Sequence, residues 1–199
     1  MKYHIIIFIV FSMFFLSCKK EYALNPNDNY HDLKLVNDEL VYEILNHHIA
    51  ADSSYDRHSS TIIGNLHPLL WDRTDSMDII KADTIFLKED AAFISNQIRS
   101  RHHLFKIEQH KLSLQDRNVI FLDEDRVFSR DNNEYFAELR EKHGTFFSAT
   151  IPVFSADKKT AMIATSYNCG MLCGFGATYI YKKDNAKWKL IAVWNKWVS

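Results

Sequence analysis

Phe146-Phe147-Ser148-Ala149-Thr150-Ile151-Pro152-Val153-Phe154-Ser155, Thr160-Ala161-Met162-Ile163-Ala164-Thr165-Ser166-Tyr167-Asn168 and Lys187-Trp188-Lys189-Leu190-Ile191-Ala192-Val193-Trp194-Asn195 decide the fold class. Here the hydrophobic pattern takes a period of two, which suits strands with alternating faces. Residues 146–155, 160–168, 176–183 and 187–195 read as four antiparallel strands. They are joined at Ala156-Asp157-Lys158-Lys159, at a cysteine-containing loop, and at Asp184-Asn185. In the last strand Trp188, Leu190, Ala192 and Trp194 are expected on one face and Lys187 and Lys189 on the other. That shared face makes Trp188 and Trp194 core residues rather than sugar-stacking platforms. Trp197 is expected on the opposite face beyond the strand, as the surface tryptophan.

Upstream the period is helical. Leu40, Ile44 and His48 share a face over about 37–50, with Val36 and Val41 beside it and Asn37 as N-cap. Leu87, Ala91, Ile94 and Ile98 make an apolar stripe over about 88–101. Asp131 and Glu134 give a capping-box-like start to a third helix, with Tyr135, Phe136 and Leu139 as its apolar face and Gly144 as its stop. Short strands are expected near 104–108 and 118–122. Residues 61–71, with Ile62-Ile63 and Leu69-Leu70-Trp71 around Gly64 and Pro68, read as a buried irregular segment or short helix. Helices followed by grouped strands favour α+β: N-terminal helices packed on a C-terminal four-stranded antiparallel meander. The element order suggests the cone-shaped NTF2-like fold by analogy. No internal repeat is evident.

The N-terminus carries an address. Met1-Lys2-Tyr3-His4 is weakly basic, and Ile5 to Leu16 is apolar except for Ser12. That run is shorter than the roughly 18–20 residues of a membrane-spanning helix and has the form of a secretory signal. Phe15-Leu16-Ser17-Cys18 resembles the lipobox of bacterial lipoproteins, although Phe15 stands where leucine is usual. The resemblance implies cleavage before Cys18 and acylation of its thiol and new amine. Two or more acyl chains, at about 0.8 kcal/mol per buried CH2, hold a protein firmly. Lys19 is unlike the aspartate that retains many lipoproteins in the inner membrane, so the outer membrane of the cell envelope is the expected location. The expected organisation is a signal peptide over 1–17, the lipidated cysteine and a flexible tether over 18–35, and one globular domain over 36–199. Asn25-Pro26-Asn27-Asp28-Asn29 gives the tether its turn-rich character.

Composition excludes several classes. At 47% hydrophobic residues, with 5 Gly and 3 Pro, the chain is globular and not a disordered coat. Without Lys2 the remaining chain has 23 basic against 25 acidic residues, so no strong field draws nucleic acid.

The most specific local feature is Cys169-Gly170-Met171-Leu172-Cys173-Gly174-Phe175-Gly176, which holds three of the five glycines. So many glycines imply positive φ angles or close approach of other groups. With Cys18 lipidated in an oxidising compartment, Cys169 and Cys173 are expected to pair. Residues four apart along an extended strand lie about 13 Å apart, whereas a disulfide needs Cα atoms within about 7 Å, so the segment must fold back. A second reading keeps a ligand loop here, with exposed amides at Gly170, Gly174 and Gly176. Three intervening residues are one too many for the usual redox pair, and no histidine follows His143 to complete a zinc site.

Ile151-Pro152-Val153-Phe154-Ser155, Thr165-Ser166-Tyr167-Asn168-Cys169-Gly170-Met171-Leu172-Cys173-Gly174 and Lys187-Trp188-Lys189 together resemble the C-terminal part of uncharacterised lipoproteins of Gram-negative bacteria. There a Ser/Pro-rich strand precedes a Cys-Gly-x-x-Cys-Gly-like loop and a Trp-Lys hairpin. The resemblance covers about 146–199 and implies a shared domain type without an activity.

Other chemistry has plainer explanations. The ten histidines include His47-His48 and His102-His103, but helical neighbours point about 100° apart. Asp123-Glu124-Asp125 lacks the calcium-loop continuation, since Val127 and Phe128 stand where an oxygen ligand and glycine belong. Glu89-Asp90 sits at a helix start, where capping accounts for it. No Gly-x-Ser-x-Gly elbow is present. These readings assign no catalytic residue, metal or cofactor. They favour a membrane-anchored, non-catalytic binding module of the envelope with an envelope protein as partner. A hydrolase assembled from His48, His102, His110 or His143 with carboxylates is the first alternative. An immunity or inhibitor protein is the second.

Overall fold

Three long C-terminal strands carry the architecture. The computed structural model describes residues 36–51, 61–67, 85–87, 89–100, 105–113, 117–127, 129–170 and 173–199. The expected signal, Cys18, the tether, His102 and Trp71 lie outside them. The strands are β1 (Thr61–Ile63), β2 (Asn65–Leu66), β3 (Phe105–Lys106), β4 (Asn118–Ile120), β5 (Phe146–Ala149), β6 (Val153–Phe154), β7 (Thr160–Gly170), β8 (Cys173–Asp184) and β9 (Lys187–Val198). The helices are α1 (Asp38–Ala51), α2 (Asp90–Ser100), α3 (Glu124–Val127) and α4 (Asn132–His143). The fold is α+β, with a mainly antiparallel sheet in the order β4-β1-β5-β7-β8-β9, and β6 also paired to β7. Among the described residues no helix is long and apolar enough to cross a membrane.

The meander is present, but the sheet exceeds it. β1 pairs in parallel with both β4 and β5. The strand count therefore differs from an NTF2-like cone, and that expectation is corrected. So is the reading of 61–71: Thr61, Ile62 and Ile63 are all buried because β1 lies inside the sheet with both faces covered. A strand buried on both faces shows no alternation, and its short apolar run imitates an irregular segment. Gly64 then permits close approach, since a Cβ there would lie 2.7 Å from the Phe121 ring.

The expected strand 146–155 is interrupted. Ile151 donates its amide to the His67 carbonyl instead of to β7, and Pro152 has no amide to give. β5 and β6 therefore flank a short break.

Helix α1 begins at Asn37, whose side chain accepts the Leu40 amide at 3.1 Å, and it buries Val41, Ile44, Leu45, His48 and Ile49. They pack with Phe147, Ile163, Tyr167, Tyr181 and Trp188 on one face of the sheet. Glu43 clamps the β8–β9 hairpin to this helix, accepting from the Lys183 ammonium and from Trp188 Nε1 at 3.0 Å. On the other face α2 covers Met162, Val153 and Ile180 through Ile94, and α4 covers Ile63 and Phe146 through Tyr135 and Leu139. Gln97 of α2 is fully buried. Its amide nitrogen donates to the Phe154 carbonyl at 2.6 Å, and its oxygen accepts the Phe154 amide at 2.9 Å. Leu87 departs from its expected stripe and is exposed, because the helix starts only at Asp90. Asp131 stands at the N-cap of α4 without a side-chain cap bond, and Gly144 closes that helix at φ +70°.

Candidate functional site

Between the parts of the sheet covered by α2 and α4 lies a trough of about 340 Å³, lined by His67, Ser148, Thr150, Ala164, Ser166, Thr178, Asn195 and Trp197 among others. Alternation explains its floor. Phe147 enters the core beneath α1, so its neighbour Ser148 faces the opposite way, and Ala164 and Ser166 share that face with Met162. Ser148 Oγ and Ser166 Oγ lie 2.7 Å apart across the β5–β7 pair, and Thr150 Oγ1 accepts the Ala164 amide at 3.1 Å. The Ile151 bond to His67 draws the end of β2 alongside Thr150 and places the histidine on the wall.

Two irregularities of β9 build the other wall. Tyr181 pairs with Leu190 but Ile180 with Ala192, so Ile191 is an inserted residue. The expected common face of Trp188, Leu190, Ala192 and Trp194 is thereby split. Trp188 joins the α1 core, while Ala192 and Trp194 pack against the α2 cluster and Leu190 is exposed. Further along, Thr178 pairs with Trp194 and Gly176 with Trp197, with Asn195 at φ +48° in the extra step. This second shift returns Trp197 to the face that carries Trp194, which corrects the expectation of the opposite face.

The glycines serve Trp197. A Cβ on Gly176 would stand 2.5 Å from Trp197 Nε1, and one on Gly174 would stand 3.2 Å from its Cζ3. The indole therefore lies across both residues, and 46% of Trp197 remains exposed. Close approach explains these glycines; among the described glycines only Gly144 has a positive φ. The Gly174 amide donates to the Ser199 carbonyl at 3.3 Å, and Ser199 donates back at 2.9 Å. Gly170 pairs with Cys173 at the hairpin end. A disulfide joins Cys169 to Cys173 with Cα atoms 5.1 Å apart, on exposed residues that close the β7–β8 hairpin.

Of the histidines singled out from the sequence, the described ones, His48, His110 and His143, are not gathered here. His48 is wholly buried, with Nδ1 2.7 Å from Tyr181 Oη and its ring 4.6 Å from that of Tyr179. His110 lies on an exposed 3-10 turn beside Glu108, and the His143 carbonyl accepts from Thr61 at the end of α4. Asp123 caps α3 by accepting the Asp125 and Arg126 amides. Asp90 accepts the Leu87 and Ala156 amides, each at 2.8 Å. Among the described residues no three His, Cys, Asp or Glu side chains gather as a metal site.

His67, Ser148, Ser166, Thr178 and Asn195 were not anticipated. A signal for the floor existed in the sequence: Ser148 and Thr150, and Ala164 and Ser166, put small residues at alternate positions of strands otherwise built for a core. Burial holds the His67 imidazole below its ordinary value despite the opposing pull of Glu124. The described lining thus combines neutral hydrogen-bonding groups with three alanines, Ala149, Ala164 and Ala177, and the indole of Trp197. No protein-family model, curated protein or solved structure matches the chain.

Proposed function

We propose that this chain is a lipid-anchored module of the bacterial envelope that binds a ligand or partner without chemical conversion, using the trough under Trp197. The observation that carries the binding half is the preformed indole platform. Trp197 is fixed over Gly174 and Gly176 yet 46% exposed, above a floor of Ser148, Ser166 and Thr178. A concave site with a rigid aromatic wall and a few convergent polar groups is the usual form of a small-ligand site. The lipobox-like Phe15-Leu16-Ser17-Cys18 supports the anchored half and the outer-membrane location. The resemblance to lipoproteins with a Cys-Gly-x-x-Cys-Gly loop agrees with it.

Both halves can be tested on the full chain extracted from membranes. The intact mass is expected to show a chain starting at acylated Cys18; an unmodified thiol there, or a retained Met1, contradicts anchoring. Immobilised wild-type protein is expected to retain an envelope component that Trp197→Ala does not. Identical retention by both proteins rejects the trough.

A further inference from the structure

We infer that the trough takes a neutral sugar, with one pyranose ring laid on the outward face of Trp197 and its hydroxyls directed at Ser148, Ser166 and Thr178. This assignment rests on the reading of the trough as a binding site and adds the chemical class of the ligand.

The platform comes first. With one side of the indole lying against Gly174 and Gly176, its orientation is set before any ligand arrives. The π face carries the negative part of the ring quadrupole and attracts weakly positive C–H groups, such as those on the apolar face of a pyranose. A flat, fixed ring also loses little conformational freedom on binding.

The floor is matched to a ligand that both donates and accepts. Ser148 and Ser166 share one hydrogen bond at 2.7 Å, so one hydroxyl proton remains to be directed elsewhere. Asn195 adds an amide at the rim.

Charge and polarity narrow the class. The described lining contains no Lys, Arg, Asp or Glu, and His67 is held toward its neutral form by burial. An ionic ligand would leave water without a countercharge from these groups. An apolar ligand would strip water from the hydroxyls and return no hydrogen bond. The volume of about 340 Å³ falls at the small end of ligand sites, about 300–1,000 Å³. One or two sugar rings suit that size better than an extended polymer.

The test uses the full chain in a zwitterionic detergent without a sugar headgroup. Cellobiose, maltose and N,N′-diacetylchitobiose are titrated in, with tryptophan fluorescence and calorimetry as readouts. At least one should bind saturably. Trp197→Ala should weaken that binding at least about tenfold, Trp197→Phe should keep most of it, and Ser166→Ala should weaken it without removing the platform. Ile191→Ala, on the same strand outside the trough, should leave it unchanged. Binding by none of the three sugars, or binding indifferent to both Trp197→Ala and Ser166→Ala, overturns the assignment. A further arm separates the two claims, using the three sugars as competitors. If an envelope component is retained only when Trp197 is present but none of the three sugars displaces it, the sugar is wrong and the trough stands. If retention ignores Trp197, both are wrong.

Discussion

Gly176 and Trp197 show how one residue governs another. Gly176→Ala would set a Cβ 2.5 Å from the indole nitrogen and 2.7 Å from the Thr165 carbonyl. The carbonyl belongs to a paired strand and cannot retreat cheaply, so the indole must move. Overpacking of this kind costs about 1–3 kcal/mol. Denaturant melts should show that loss together with a shift in tryptophan emission. Unchanged stability and emission would mean that the ring does not rest on the glycine. Tyr181→Phe removes the 2.7 Å hydrogen bond to buried His48, and the expected loss is about 1–3 kcal/mol. At this scale the sequence was partly legible. The glycine cluster signalled close approach correctly, but the partner was invisible because Trp197 follows two strand irregularities that a strict period of two cannot anticipate. His67 was hidden for a different reason: its place on the wall comes from a backbone bond to Ile151, which leaves no side-chain pattern.

Elements carry the next set of consequences. The β8–β9 turn places Asn185 at φ +48° and Ala186 at φ +63°, the pairing of angles that a two-residue hairpin turn requires. Alanine is strained there, so Ala186→Gly should stabilise the protein by up to about 1 kcal/mol, read from the denaturation midpoint. Gln97→Ala breaks both bonds to Phe154 and leaves a buried backbone pair unsatisfied. A loss of about 2–4 kcal/mol is expected, with α2 detaching before the rest of the sheet in hydrogen exchange. The disulfide closes a hairpin that the strands already pair. Replacing Cys169 and Cys173 by serine should therefore cost no more than about 2 kcal/mol. No change at all in a non-reducing buffer would argue against the bridge. Helices α1 and α4, the hairpin at Asp184–Lys187 and the meander were all readable, since each announces itself through caps, turn residues or alternation. β1 was not. A three-residue strand buried on both faces and paired in parallel to strands far along the chain carries no local signature.

For the whole molecule, burial and hydrogen bonding set the response to acid. His47 and His67 both lie below the ordinary 6.5 because burial disfavours their charged forms. Below that value the unfolded chain takes up these protons first, so stability should fall as pH drops through about 6.5 and below. Asp157 acts lower on the scale. Its carboxylate accepts from Ser155 Oγ and from the Lys159 amide, and both bonds hold it below the ordinary 3.8. Its contribution is complete above that value and is lost as pH falls through its lowered position. Melts from pH 7.5 to 3 should therefore weaken in two stages, with the first reduced in a His47→Asn, His67→Asn double variant. Stability that rises on acidification would contradict this. The larger claim is that the face of the sheet between α2 and α4 is where this chain meets a ligand. Hydrogen exchange on the full chain, with and without a component captured through Trp197, tests that claim most directly. Exchange should slow over residues 146–150, 164–168 and 194–199 and stay unchanged at the Asp184–Lys187 turn. Protection confined to α1 and the β8–β9 turn, with the trough strands unaffected, would place binding elsewhere and contradict the account.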